Sequence, residues 1–159
     1  MTDIKKIKPN HKSGFKQSYF EPKKLFKYLG SFPIICRSSW ERKFAIFCDS
    51  NDSVIKWSSE PIEIKYYNIL DKKFHKYYPD YFVQIEKSGQ LVNYMVEVKP
   101  SSQLQKPEPP KKITEKAVIS YKKAYETYVM NLCKLDALKK YAEQRSWKVL
   151  VITEKSKLI

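Results

Sequence analysis

The sequence predicts an α/β fold in which one mixed β-sheet is flanked by helices. Three observations predict it. A helix-periodic run covers 40–48, a succession of short β-rich runs fills 54–98, and a long helix-periodic run over 114–145 leads into a short apolar strand.

The first 33 residues read as a basic, partly irregular arm, and residues 34–159 as the folded domain. Lys, Asn, Ser and Tyr dominate the arm, and Pro9, Pro22 and Pro33 interrupt regular structure. The first helix opens at Ser38 or Ser39, both good N-caps. It carries Trp40, Phe44, Phe47 and Cys48 on one face and ends at Asp49-Ser50-Asn51-Asp52. Val54 to Trp57, Pro61 to Asn68, Lys73 to Tyr78, Tyr81 to Glu86 and Leu91 to Lys99 then read as strands. Lys87-Ser88-Gly89-Gln90 forms the turn of a hairpin between the last two.

Four prolines between Pro100 and Pro110 break the strand pattern. From Thr114 to Arg145, Ala117, Tyr121, Ala124, Tyr128, Leu132, Leu135, Leu138 and Ala142 recur three or four apart, which predicts a long helix with room for a bend near Asn131. Trp147 to Ile152 reads as a buried strand, so the element order is αβββ(β)αβ.

The chain carries a net charge of +14, and the charge is unevenly placed. Residues 1–37 are net +7, residues 38–98 net −1, residues 99–123 net +5 and residues 124–159 net +3. Basic flanks around an acidic middle suit a polyanionic partner, because each neutralised phosphate releases counterions. No stretch approaches the roughly 18 apolar residues of a membrane span, and the N-terminus lacks the apolar core of a secretory signal. Cys36, Cys48 and Cys133 with His11 and His75 offer neither a disulfide framework nor a zinc-ligand spacing.

The residues with chemical promise are Asp80, after Pro79, and Glu97-Val98-Lys99. Glu97 and Lys99 lie two apart on a strand and so share a face. Val98 points into the core while its backbone carbonyl stays available. Asp80 heads the preceding strand, so the hairpin brings it beside Glu97. Two carboxylates with a lysine suit phosphodiester hydrolysis: Mg²⁺ binds one or two carboxylates, and a lysine orients or helps deprotonate a water. The plainer alternative for Glu97 and Lys99 is a solvated ion pair. Glu41 has two readings, a dipole-stabilising acid in the first helical turn or a ligand for a metal or its water. Tyr66, Tyr67, Tyr77, Tyr78 and Tyr81 read as strand aromatics, His75 as a surface residue and Ser58-Ser59-Glu60 as a turn.

Four runs in order carry a family resemblance: Cys36 to Glu41, Trp57 to Ile62, Tyr77 to Tyr81, and Val96 to Pro100. Asn131, Lys134, Trp147 and Thr153-Glu154 extend it. The chain resembles the head-completion nucleases of tailed bacteriophages and, through them, the endonuclease subunit of heteromeric transposases, within the PD-(D/E)XK superfamily. The resemblance implies a restriction-endonuclease-like fold and a Mg²⁺-dependent DNA endonuclease, with Mn²⁺ able to substitute. It makes Glu41, Asp80, Glu97 and Lys99 catalytic, and Asp80, Glu97 and the Val98 carbonyl metal ligands, with Glu41 a further candidate. The implied partners are double-stranded DNA and phage head or portal proteins. The implied place is the cytoplasm of the infected host cell and then the virion. The rival reading is a structural DNA-end or portal-binding virion protein with little turnover.

Overall fold

The computed structural model describes residues 17–157. In chain order the elements are β1 (Ser18–Phe20), β2 (Ile34–Cys36), α1 (Ser39–Ser50), β3 (Val54–Ser59), β4 (Ile64–Asn68), β5 (Lys73–Tyr77), β6 (Tyr81–Lys87), β7 (Gln90–Val98), α2 (Glu115–Glu143) and β8 (Lys148–Ile152). The main sheet has the order β3-β6-β7-β8. Its first three strands are antiparallel, and β8 pairs parallel to β7 after the α2 crossover. A mixed sheet with helices on both faces is thus the architecture.

The β6–β7 hairpin sets the register on which the rest depends. Lys87 pairs with Gln90, leaving a two-residue turn in which Ser88 and Gly89 have φ of 51° and 75°. Positive φ at both positions matches the right-handed twist of the flanking strands. Alternation along the hairpin then sorts side chains between two cores. Tyr81, Val83, Tyr94, Val96 and Val98 join Phe44, Cys48 and Trp57 beneath α1. Met95 instead joins Leu138 and Ala142 beneath α2, with Phe82 and Trp147 packed alongside.

Three expectations change. The strands read at 61–68 and 73–78 form a separate two-stranded hairpin, β4–β5, which buries Ile64, Tyr66 and Tyr77 against α2. Alternation marks which residues share a face but not which strand pairs with which. The closing strand is an edge strand, not a buried one: Ile152 is buried, but Leu150 is 37% exposed. Finally, α2 runs through Asn131 without a break, as 29 continuous residues capped by Thr114, whose Oγ1 accepts the Ala117 N–H at 3.2 Å.

The segment read as a basic arm is ordered where it is described, while residues 1–16 lie outside the described residues. Phe20 and Tyr28 pack on Trp57, with ring centroids 5.9 and 4.7 Å away. Asp49, buried near the end of α1, accepts the backbone N–H groups of Lys23 and Lys24, each at 2.9 Å. Lys27 is buried too, and its ammonium donates to the Asn51 carbonyl at 2.7 Å, where the C-terminal end of the helix favours a cation. The basic segment therefore closes one end of α1.

Replacing Asp49 by alanine strands two amide donors. Hydrogen bonds to charged groups contribute about 1.5–3 kcal/mol each, so losing both in Asp49→Ala is expected to lower unfolding stability by about 3–6 kcal/mol. Urea denaturation reads this directly, and a loss below about 0.5 kcal/mol contradicts the anchoring role.

Candidate active site

Residue Tyr81 of β6 lies opposite Val96 of β7, which sets Asp80 across from Glu97 at the end of the hairpin. Asp80 is held there by two main-chain contacts. Its Oδ2 accepts the Val98 N–H at 2.7 Å, and its carbonyl accepts the Glu60 N–H at 2.9 Å. Glu97 is 2% exposed, on the face of β7 opposite Val96 and Val98. Lys99, two residues on, reaches back with Nζ 2.8 Å from Glu97 Oε1. The solvated-pair alternative fails on burial: Glu97 sits inside the protein, where an unmatched charge costs several kcal/mol.

The balance of charge is what gives the site its character. Glu97 Oε2 is buried and has no hydrogen-bond partner among the described residues. One ammonium thus serves two carboxylates. Burial and then the Glu97 carboxylate push the Asp80 carboxyl well above its ordinary range, against the pull of Lys99 and the Val98 N–H. Burial opposes the charge on Lys99, but Glu97 and Asp80 outweigh it and hold the amine above its usual value. An unsatisfied buried oxygen beside a carboxylate that resists ionisation calls for a cation. Mg²⁺ fits such a donor set, because two carboxylates and a main-chain oxygen leave room for its waters.

Glu41 stands differently. Ser38 caps α1, its Oγ accepting the Glu41 N–H at 3.1 Å. The Glu41 carboxylate turns back to accept the Arg37 N–H at 2.8 Å and lies 3.3 Å from the Ser38 hydroxyl. This is close to a capping box, with the acid reaching one residue further back than usual. Burial raises its carboxyl while the Arg37 contact and charge lower it. Its charge acts on Asp80 and Lys99. Among the described residues, however, no three His, Cys, Asp or Glu side chains converge as a metal cluster. The structure brings Asp80, Glu97 and Lys99 together and leaves Glu41 at the helix cap.

Several neighbours complete the surroundings. Arg37 pairs with Glu60, the turn residue whose N–H holds Asp80. Lys134 of α2 was read only as part of the family likeness, but it belongs to this site electrostatically. Burial, then the charge of Lys99, depress its amine, while Glu97 and Asp80 pull the other way. Its Nζ lies 5.6 Å from the ring centroids of both Tyr66 and Tyr77, and its carbonyl accepts the Tyr77 hydroxyl at 2.9 Å. Its position one helix away from the strand motif hides it from any reading of local spacing. Asn131 sits 3.4 Å from Gln103, and Glu154 accepts the Ser101 N–H at 2.9 Å, so both pin the segment following Lys99.

The remaining readings sort by position. Tyr66, Tyr77 and Tyr81 are core residues, while Tyr67 and Tyr78 are exposed. His75 pairs with Asp71 at 2.6 Å on the β4–β5 hairpin. Ser58 and Ser59 end β3 rather than forming a turn, and the turn falls at Glu60, with φ of 45°.

This fold and this acid–lysine centre define the restriction-endonuclease-like class. The model of the TnsA-like endonuclease N-terminal family matches residues 51–154. The chain is also 32% identical over 134 residues to the head completion nuclease of Enterobacteria phage T4, covering 84% of this chain and 87% of that protein. The chain belongs to the TnsA-like endonuclease family, in its branch of phage head-completion nucleases.

A raised Asp80 value binds the proton more tightly in the folded state than in the unfolded one. Stability of the metal-free protein should therefore be fullest below the ordinary value of 3.8 and fall as pH rises through the elevated one. Asp80→Asn keeps an acceptor for Val98 N–H and removes the charge, so it is expected to raise the neutral-pH Tm by about 3 °C or more in EDTA. An unchanged or lower Tm, by calorimetry, contradicts the stored repulsion.

Proposed function

We propose that the protein is a Mg²⁺-dependent DNA endonuclease that acts in completing the DNA-filled phage head. The observation that carries this reading is the buried, unpartnered Glu97 Oε2 beside Asp80. Asp80 and Glu97 would hold the ion together with the main-chain carbonyl of Val98, and Mn²⁺ should substitute. When bound, such an ion offsets the charge of the scissile phosphate and lowers the pKa of a water.

Lys99 donates one N–H to Glu97 and retains others for the attacking water or a phosphate oxygen. As an ammonium beside the reacting phosphate, it also favours the build-up of negative charge there. Glu41 keeps the first turn of α1 closed against this end of the sheet and adds negative potential, which favours a cation at the site. Lys134, from α2, adds a second basic group whose charge acts on Glu97 and Asp80. The net +14 of the chain supports a DNA substrate held by its backbone.

A role in head completion is supported by the likeness to the T4 protein of that name. The site of action is then the infected host cell, with head or portal proteins as neighbours. A binding-only virion component leaves the burial of Glu97 without a purpose.

Nicking of supercoiled plasmid tests the chemistry. Glu97→Gln and Lys99→Ala are each expected to reduce Mg²⁺-dependent cleavage at least about 100-fold while circular dichroism shows the fold retained. Undiminished cutting by both overturns the assignment. Mg²⁺ should also raise the Tm of the wild type and not that of Glu97→Gln. In infected cells, Glu97→Gln should leave filled heads that fail to join tails, and normal particle yield would separate catalysis from head completion.

A further inference from the structure

The second half of α2 covers the sheet, but among the described residues the first half is left largely uncovered. Val129, Asn131, Leu138 and Ala142 are its buried positions, and residues 115–126 are exposed but for the half-buried Ala117 and Tyr121. Asn131 touches Gln103, just after Lys99, and Lys134 faces Lys99 and Glu97. The helix therefore passes the active centre at 131–134 and continues outward from it. Thirteen residues, 115–127, at 1.5 Å each carry it about 20 Å beyond.

That projecting half has a defined chemistry. Tyr121, Tyr125 and Tyr128 form a ladder, with successive ring centroids 6.3 and 6.4 Å apart. At their three- and four-residue spacing they run on into Leu132, which is 44% exposed, and so depart from the face of Asn131, Leu138 and Ala142 that meets the sheet. Glu97 and Lys99 alternate with Met95 onto the sheet face that Leu138 and Ala142 cover. The tyrosines thus stand around the helix from the side that meets the active centre, and Tyr125 is 36% exposed. Lys111, Lys112, Lys116, Lys122 and Lys123 surround them, all exposed, with Glu115 the lone acid between 111 and 125.

We propose that the tyrosine–lysine half of α2 is a binding surface for unpaired DNA leading away from the scissile phosphate. The inference rests on the nuclease reading for its substrate class. Lysines flanking the ladder attract the phosphate backbone, and rings presented in series stack on successive bases, which only an unpaired strand exposes. Duplex DNA offers the same phosphates but keeps its bases from the rings. The surface therefore favours a frayed end or a flap over continuous duplex.

Fluorescence anisotropy in EDTA, with a labelled 15-nucleotide oligothymidine and a labelled 20-base-pair duplex, tests this without any cleavage. The double variant Tyr121→Leu/Tyr125→Leu is expected to bind the oligonucleotide at least ten-fold more weakly and the duplex within two-fold of wild type. The variant Lys116→Ala/Lys122→Ala/Lys123→Ala should weaken both and flatten the salt dependence. Unchanged oligonucleotide binding by the tyrosine variant overturns the proposal, as does an equal loss on both probes. Sedimentation of the free protein as a dimer broken by the same tyrosine changes also overturns it, and assigns the surface to a second copy. Because no metal is present, these outcomes are independent of whether Glu97→Gln abolishes cutting.

Discussion

Glu97 lies fully inside the protein, one ammonium from Lys99 is its partner, and a second carboxylate, Asp80, stands across the hairpin from it. Two acids against one base is an arrangement that a protein does not adopt for stability, since each buried ion loses several kcal/mol of hydration. The rest of the fold is organised to enforce it. The Val98 N–H holds the Asp80 carboxylate and the Glu60 N–H holds its main-chain carbonyl. The turn at Ser88 and Gly89 fixes the register that sets the acids opposite one another. Core residues on the other face, Val96 and Val98, anchor the strand so that Glu97 cannot swing out.

The electrostatic design separates two scales. Across the whole chain, positive charge prevails and suits a phosphate polymer. Within the site, two carboxylates crowd the buried end of one hairpin, an arrangement that suits a small hard cation. A molecule that was basic throughout would attract DNA with nothing to concentrate a divalent ion at one phosphate. Lys99 and Lys134 mediate between these scales, as basic groups whose charge acts on the same two acids.

Glu41 shows how one residue type serves two roles. In the first turn of α1 its carboxylate closes the cap with Ser38 and Arg37, as a surface acid would, yet it is near enough to act on Asp80 and Lys99. Of the two readings that local pattern left open, the helix cap is the one these contacts show. The helix also has its far end closed by Asp49 and Lys27, which bind the N-terminal segment to it. A stretch that composition alone describes as a basic arm thereby becomes part of the frame that holds α1, and through α1 the site.

What the sequence determined by itself was mostly local. Capping residues, hydrophobic periods and the Lys87-Ser88-Gly89-Gln90 turn gave both helices and the β6–β7 hairpin nearly to the residue, because these depend on neighbours within a few positions. The meeting of Asp80, Glu97 and Lys99 was legible for the same reason: a tight hairpin converts short sequence separation into contact. The tertiary structure alone decided which strands pair, detaching β4–β5 from the main sheet and placing β8 at its edge. It alone brought Lys134 and Asn131 to the site from a helix some thirty residues downstream. Alternation and periodicity encode the face a side chain takes. The partner that face meets depends on how distant segments compete to bury it, and no local spacing records that outcome.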